Sequence, residues 1–502
     1  MRFDFQLRAF AQTDSGTDQL AVLGSDHSMN WEALQLAVQE RMLQLQASEI
    51  PTGHPVLIYG HKEAHFVVNV LACISLQLPY IPIDINVPKA RCQRIAKRSG
   101  SQVLLTSRVE HPFEEVPIIF PSSGPISRKG HANFSQSIHH RPEDPIRYII
   151  FTSGSTGEPK GVQITASAVS SYLEWVDRDF GLVGHATWIN QAPFSFDLSV
   201  YDLYISLHRG DSLVLSTAKQ LNDPSTFFPR IQRANASVWV STPSAAYRYL
   251  AAPDFTGAHF PQLHTFLFCG ETLPNRTARL LLERFPKARV LNSYGPTEAT
   301  VATTLVDVTA EVVAHHDPLP VGAPKFSSEL LLEKQDPNDE WGEIIIVGNN
   351  VSIGYFEAPE LNAQKFFLHQ QKRAFRTGDL GKLENGQLFF GGRNDDQIKL
   401  NGFRIELGDI SHQMGQLPGV KDAVVLPLKQ RETVKRIIGI LILEEGISPD
   451  QSYLDRLRQR LYDHLPAYMV PSELCVTSEF PYTTNHKVDR KALIDRYRKG
   501  SL

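Results

Sequence analysis

Tyr148-Ile-Ile-Phe-Thr-Ser-Gly-Ser-Thr-Gly-Glu-Pro-Lys-Gly-Val162 is the stretch on which the reading of this chain turns. Its first four residues are aromatic or apolar and β-favouring, the composition of a buried strand. The strand runs directly into Thr152, Ser153, Gly154, Ser155, Thr156 and Gly157, and Lys160 and Gly161 close the loop. Glycines let backbone N–H groups approach an anion, hydroxyls add donors, and a lysine adds positive charge. That is the chemistry of a phosphate cradle. The G-x-x-x-x-G-K-[ST] pattern is excluded by spacing, because Lys160 follows Pro159 and precedes Gly161. A plain surface turn uses the same residue types, but here a buried strand feeds the loop and hydroxyls crowd it.

Outward from the loop, short apolar runs alternate with longer helical patterns. Val56-Leu-Ile-Tyr59, Tyr80-Ile-Pro-Ile83 and Val103-Leu-Leu-Thr106 read as strands, with helical periods over 64–76 and 88–99 between them. Ser237-Val-Trp-Val-Ser241, Thr265-Phe-Leu-Phe268 and Arg289-Val-Leu-Asn292 continue the series. Such alternation predicts an α/β fold, parallel sheets with flanking helices. After about residue 318 the texture changes. Gly342-Glu-Ile-Ile-Ile-Val347 and Gln387-Leu-Phe-Phe390, with the turn signal Glu384-Asn-Gly386, predict a β-rich subdomain with hairpins. From about Asp396 the order expected is strand, helix, strand, strand, helix. Its strands are Ala423-Val-Val-Leu-Pro427 and Arg436-Ile-Ile-Gly-Ile-Leu-Ile442, and its last helix covers 451–464. The expectation is a large N-terminal domain, 1–394, and a small α+β domain, 395–502. No repeat or low-complexity tract interrupts it.

Composition narrows the class. The 502 residues are 42% hydrophobic and 21% charged, enough apolar surface for a sizeable core, which excludes a disordered or collagen-like chain. Fifty basic against 54 acidic residues leave a formal charge of −4, without the basic excess of a non-specific nucleic-acid binder. Cys73, Cys92, Cys269 and Cys475 are far apart and form no C-x-x-C pair, so they are expected as reduced thiols and not as a zinc site. The N-terminus lacks a signal-peptide core. Residues 67–83, the most apolar span, are broken by Asn69, Ser75, Gln77 and Pro79, and read as a helix and a strand instead of a membrane span. A cytoplasmic protein without membrane insertion is expected.

Further motifs then follow in a fixed order: Tyr80-Ile-Pro-Ile-Asp84, Asn292-Ser-Tyr-Gly-Pro-Thr-Glu298, Gly342-Glu-Ile with Gly354-Tyr355, and Phe375-Arg-Thr-Gly-Asp379. Gly392-Arg-Asn-Asp-Asp-Gln-Ile-Lys399, Asn401-Gly-Phe-Arg-Ile-Glu406 and Asn485-His-Lys-Val-Asp-Arg490 complete them. Together with the phosphate loop they resemble the adenylate-forming superfamily of acyl-CoA synthetases, luciferases and amino-acid-activating domains of peptide synthetases. Within it, Ala192-Pro-Phe-Ser-Phe-Asp-Leu-Ser-Val200, Ser241-Thr-Pro-Ser244, Phe268-Cys-Gly-Glu271 and Leu465-Pro-Ala-Tyr-Met-Val-Pro471 are most similar to the D-alanine–carrier-protein ligases.

The resemblance implies two steps, adenylation of a carboxylate by ATP and displacement of AMP by a phosphopantetheine thiol. It implies that Thr152 to Gly157 and Lys160 hold the β- and γ-phosphates, and that Asn292, Tyr294, Gly295, Pro296 and Thr297 form the adenine side, with Tyr294 stacked on the base. Asp379 would accept from the ribose hydroxyls with Arg393 close by, and Glu298 would bind Mg²⁺, a hard cation suited to carboxylate oxygen. Lys487 would be the catalytic residue, bridging the substrate carboxylate and the α-phosphate as charge develops. Taken alone it also reads as an exposed lysine before Arg490 and Lys491. His486 stands where the family usually has glycine.

Asp197 would anchor the substrate. A carboxylate framed by Phe194, Phe196, Leu198 and Val200 is costly unless a cation pairs with it, and an α-ammonium group is such a cation; a cap on the following helix is the other use of an aspartate there. By the resemblance Leu198, Tyr201, Val240, Leu267, Cys269, Ser293 and Val301 line the rest of the pocket, which suits a small uncharged side chain. Cys269 reads equally as a buried small hydrophobe. Asp395 falls on the family hinge, about which Lys487 and the 399–402 segment would exchange places at the site. D-alanine is the substrate expected, with L-alanine, serine, glycine or proline as alternatives and an acyl-CoA synthetase disfavoured by Asp197. No Gly-Gly-x-Ser carrier segment is present, so the carrier protein is expected in trans. His139 and His140 lack a H-H-x-x-x-D continuation and read as surface residues.

Overall fold

The computed structural model describes residues 18–122, 126–128, 143–154, 157–430, 433–447, 449–481 and 488–501. The chain divides into two compact units. One comprises the chain up to Ile85 with Ala96–Phe151 and Gly161–Asn394, and the other Asn86–Ile95, Thr152–Lys160 and the chain from Asp395 onward. Two short stretches from earlier in the chain thus group with the C-terminal residues. Buried polar pairing accounts for one of them: Arg91 meets Asp409 at 3.3 Å, and both are buried.

In the first unit, a seven-stranded sheet runs in the order Ser127–Arg128, Ile118–Pro121, Val103–Thr106, Val56–Gly60, Tyr80–Asp84, Ile146–Thr152 and Lys160–Thr165. Its five strands from Ile118–Pro121 to Ile146–Thr152 are parallel. Crossover helices such as Ala64–Ser75 join them, as short apolar strands separated by helical periods require. The chain that sequence reads as a phosphate cradle follows the C-terminal end of Ile146–Thr152, on the edge of a parallel sheet where ligands are commonly bound. The span over 67–83 resolves into that helix and the Tyr80–Asp84 strand, and among the described residues no helix is long and apolar enough to cross a membrane.

A nine-stranded sheet contains Arg289–Tyr294, Thr265–Phe268, Val238–Ser241, Thr187–Asn190, Ser212–Leu215 and Leu20–Leu23 as parallel neighbours. Both faces are buried. Trp188, Val240, Leu267 and Leu291 join one apolar cluster with Val56, Tyr148 and Ile150 of the other sheet, while Ile189, Trp239, Phe266 and Val290 join a second cluster on the opposite face. The period of two explains why these strands read as unbroken apolar runs. Register sets Val240 beside Leu267 and Leu267 beside Leu291. Two residues further on, Cys269 and Ser293 therefore face the same side.

The β-rich portion is an antiparallel sheet of Ser328–Glu333, Gly342–Gly348, Lys372–Glu384, Phe366–His369 and Gln387–Arg393. The hairpin read at Glu384-Asn-Gly386 forms, with Asn385 at φ 50° and Gly386 at φ 77°, the left-handed pair a two-residue turn needs.

The second unit carries a hairpin of Gln397–Leu400 and Phe403–Glu406, the helix Leu407–Gly415, and a sheet of Val420–Gln430, Thr433–Leu443 and Leu474–Val476. Two strands thus precede its first helix where sequence suggested one, because Asn401 and Gly402 take positive φ and fold the chain back. The helix capped by Asp450, Gln451–Leu461, ends three residues short of 464. Tyr462 and Asp463 donate to residues three back instead of four, tightening the last turn before Pro466. None of the four cysteines forms a disulfide.

Candidate active site

Within the first unit, the strand Arg289–Tyr294 delivers two groups, Asn292 and Tyr294, from positions two apart that share a face. Asn292 donates to the Pro320 carbonyl at 2.8 Å. Tyr294 donates its hydroxyl to Asp379 Oδ2 at 2.6 Å, and Arg393 Nη1 donates to Asp379 Oδ1. Arg393 also reaches the Thr377 carbonyl at 3.1 Å, while Thr377 accepts from the Asp379 N–H at 3.0 Å. Tyr294 and Asp379, both buried, and the half-buried Arg393, which lie far apart in sequence, thus form one cluster. Burial and then the neighbouring Asp379 charge hold the Tyr294 phenol well above its ordinary range, so it stays a donor. Each carboxylate oxygen has two lone pairs, leaving Asp379 capacity to accept from a diol beside its protein partners.

After Tyr294 the chain turns through Gly295 and Pro296 into a short 3₁₀ turn, Thr297–Ala299, whose Glu298 is fully buried. Tyr355 donates its hydroxyl to Glu298 Oε1 at 2.7 Å. Tyr355 itself pairs with Val162, on the strand that leaves the phosphate loop. The motif Gly354-Tyr355 is legible in sequence, but the role of its tyrosine in orienting Glu298 is not. Thr300 and Val301, both β-branched, adopt φ of 55° and 69°, a strain of about 1–3 kcal/mol each that persists only where surroundings enforce it. Asn350 does so. It donates to the Ala299 carbonyl at 2.9 Å and to Thr303 Oγ1 at 3.1 Å, and its carbonyl accepts from Thr300.

Asp197 stands at the N-cap of the helix Leu198–Arg209 but makes no side-chain capping bond. The capping alternative is therefore not what this carboxylate does. Val200, Tyr201, Val240, Leu267, Cys269, Ser293 and Val301 are buried and Leu198 half-buried. All except Ser293 belong to, or pack on, one apolar cluster. Tyr201 is tied into the wall, its hydroxyl donating to Ser293 Oγ at 2.7 Å. Burial, then Cys269, raises its phenol well above the ordinary value.

In the second unit, Gly154 is required by crowding, since a Cβ there would lie 2.2 Å from the Glu158 carbonyl oxygen. Ser153 accepts from the Glu406 N–H at 3.2 Å, and Lys160 pairs with Glu406 at 2.9 Å. Gln397 donates to the same Glu406 oxygen at 2.9 Å. Sequence reading assigned no partner to Lys160. Asp395 accepts from the Gln397 N–H at 3.2 Å. Ser155, Thr156, His486 and Lys487, together with His139 and His140, lie outside the described residues.

Two family profiles match the chain, that of the AMP-binding enzymes over residues 9–356 and that of the AMP-binding enzyme C-terminal domain over 411–487. The chain belongs to the AMP-binding enzyme family. This AMP-binding enzyme is 40% identical over 488 residues to the D-alanine--D-alanyl carrier protein ligase of Bacillus anthracis (strain CDC 684 / NRRL 3495), covering 95% of this chain and 96% of that one. Among solved structures it resembles an NRPS protein containing adenylation and PCP domains bound to a vinylsulfonamide inhibitor, at 25% identity and TM-score 0.78, over 95% of this chain and 82% of that one. The Vibrio cholerae adenylation domain AlmE, in complex with glycyl-adenosine-5′-phosphate, shares the fold at 20% identity and TM-score 0.82, over 99% and 97% of the two chains. The fold expected from the motifs is the fold of this AMP-binding enzyme.

Proposed function

We propose that this AMP-binding enzyme is an ATP-dependent ligase that activates D-alanine and loads it onto a carrier protein acting in trans. A carboxylate oxygen of D-alanine attacks the α-phosphorus and pyrophosphate leaves, giving D-alanyl-adenylate. The sulfur of a phosphopantetheine thiol then attacks the acyl carbon, AMP leaves, and the thiol proton passes to solvent. Identity to the D-alanine--D-alanyl carrier protein ligases along nearly the whole chain supports the substrate and the partner.

The observation that carries the amino-acid reading is the carboxylate of Asp197, half-buried and not spent on capping its helix. We read it as the partner of an α-ammonium group, a reading supported by apolar neighbours that suit a methyl side chain. Tyr294, Asp379 and Arg393 hold the adenosine. The backbone and hydroxyls of the 152–157 loop, with Lys160, hold the β- and γ-phosphates. Lys487 bridges the two reacting anions, where positive charge counts most as the bond forms. Asp395 is the hinge that later withdraws it, exchanging it for the 399–402 segment.

Glu298 offers a single hard oxygen ligand, oriented by Tyr355, and the other ligands would be phosphate oxygens and water, a donor set that fits Mg²⁺. When bound, that ion offsets the charge of the phosphates.

Pyrophosphate release measured with both alanine enantiomers, glycine, serine and proline tests the proposal. D-alanine should give the highest kcat/KM, and preference for L-alanine or another amino acid would replace it as substrate. Lys487→Ala should nearly abolish adenylate formation while leaving ATP affinity mostly intact. Asp395→Pro should spare adenylation and damage thioester formation; equal loss of both would remove the hinge.

A further inference from the structure

Lys62 lies in the short connection between the strand Val56–Gly60 and the helix Ala64–Ser75, and it is completely buried. Nothing in the adenylation chemistry calls for a cation there. Its ammonium group donates to Asn190 Oδ1 and, at 2.5 Å, to the Ala192 carbonyl. It also lies 4.7 Å from the centroid of the Phe194 ring, which stacks on Phe66 at 4.4 Å. Asn190 ends the strand Thr187–Asn190 and donates to Asp202 Oδ1 at 2.6 Å. Asp202 sits on the helix Leu198–Arg209.

These contacts bracket one segment. Lys62 grips the strand end at Asn190, the backbone at Ala192 and the ring of Phe194, and through Asn190 it reaches the helix that begins immediately after Asp197. An ammonium group has three donors and no acceptor, so it can hold a carbonyl, an amide oxygen and an aromatic face at once. A methionine of similar length would fill the space without holding any of them. A buried cation is costly to keep; Asp202, Asp84 and Glu63 offset its charge here, while its donors are spent on the segment before Asp197.

We propose that Lys62 is a positioning residue for amino-acid recognition, acting through the Ala192–Phe194 backbone to fix where Asp197 meets the substrate ammonium. This rests on the amino-acid reading given above for Asp197. Among the described residues Lys62 makes no hydrogen bond or ion pair to the proposed adenosine cluster of Tyr294, Asp379 and Arg393, so nucleotide binding is not part of its role.

The test is a kinetic double-mutant cycle on the full chain, read as ATP-dependent pyrophosphate release. Lys62→Met should raise the amino-acid KM about tenfold and leave the ATP KM within twofold. In an Asp197→Asn background the same substitution should add less than about twofold, because the residue through which it acts is already gone. A purely structural role would move both KM values together and act equally in both backgrounds, which would overturn the proposal. Should Lys62→Met not fold, Phe194→Leu removes the aromatic face alone and is expected to raise the amino-acid KM about threefold; an unchanged value would overturn it as well. The wild-type panel separates the two readings. Activity with an amino acid other than D-alanine ends only the D-alanine assignment, and the cycle is then run with that amino acid. Silence toward every amino acid ends the role of Asp197 and this proposal with it.

Discussion

The hydroxyl of Tyr201 donates to Ser293 Oγ at 2.7 Å, and Ser293 donates onward to the Phe268 carbonyl at 2.8 Å. A bulky side chain is thereby anchored between helix and sheet. Its ring packs edge-on to Tyr172 at 5.7 Å. Tyr201→Phe should therefore lower stability by about 1 kcal/mol, the worth of one neutral hydrogen bond, without changing the order of preferred amino acids. Thermal melting and the pyrophosphate-release panel check both halves. A switch to larger amino acids would show that the hydroxyl contacts substrate.

Asp197→Asn keeps the shape of the side chain and removes its charge. Loss of a charge-assisted bond of about 2–3 kcal/mol corresponds to an amino-acid interaction weaker by about 30- to 150-fold. The amino-acid KM should rise by that factor while the ATP KM stays near its starting value. Equal rises in the two would place Asp197 outside the amino-acid site.

Asp379 holds Arg393 by charge and Tyr294 by a hydrogen bond. In Asp379→Asn one amide group must face one of these two donors with its own N–H. ATP affinity should fall about tenfold or more, as expected for one charge-assisted bond, and direct nucleotide-binding measurements on the unliganded enzyme read this without turnover. Unchanged affinity would count against a ribose-binding role.

Lys325 is 1% exposed, its ammonium makes no hydrogen bond to the described residues, and it lies 5.5 Å from the Trp175 ring centroid. Burial pushes its pKa down from 10.5 to about 7. Between those values the unfolded chain binds a proton the folded chain has released, so this group makes stability rise as pH increases from about 7 toward 10.5. Lys325→Met removes that dependence. Its melting temperature should exceed the parent's by about 3–6 °C at pH 6, with the gap closing as pH rises. A constant gap across pH would assign the effect to packing alone.

Much of the fold is legible in the sequence. The loop of Thr152–Gly157 is a local signal, because glycine, hydroxyl and lysine chemistry within ten residues needs no distant partner to be recognised. The parallel strands are legible for a related reason, since burial on both faces leaves runs such as Phe266-Leu-Phe268 with nothing polar in them. The hairpin at Asn385-Gly386 follows from a short motif, and the motifs also name Tyr294, Asp379 and Arg393, which the structure brings together. The hairpin at Asn401-Gly402 carries the same turn signal, and its strands are short enough to pass for one.

Pairing across sequence distance was not legible. Composition and motif order by themselves determined the class of fold, the family resemblance and which residue types would carry the chemistry, because those depend on periodicity and on neighbours in the chain. Only the tertiary structure decided that Tyr355 orients Glu298, that Asp197 leaves its helix uncapped, that Lys160 finds Glu406 and that Lys62 reaches the loop before Asp197. Each of those contacts joins groups brought together by sheet register or chain crossover, and the energy of a hydrogen bond depends on separations of a few tenths of an ångström that no one-dimensional pattern encodes.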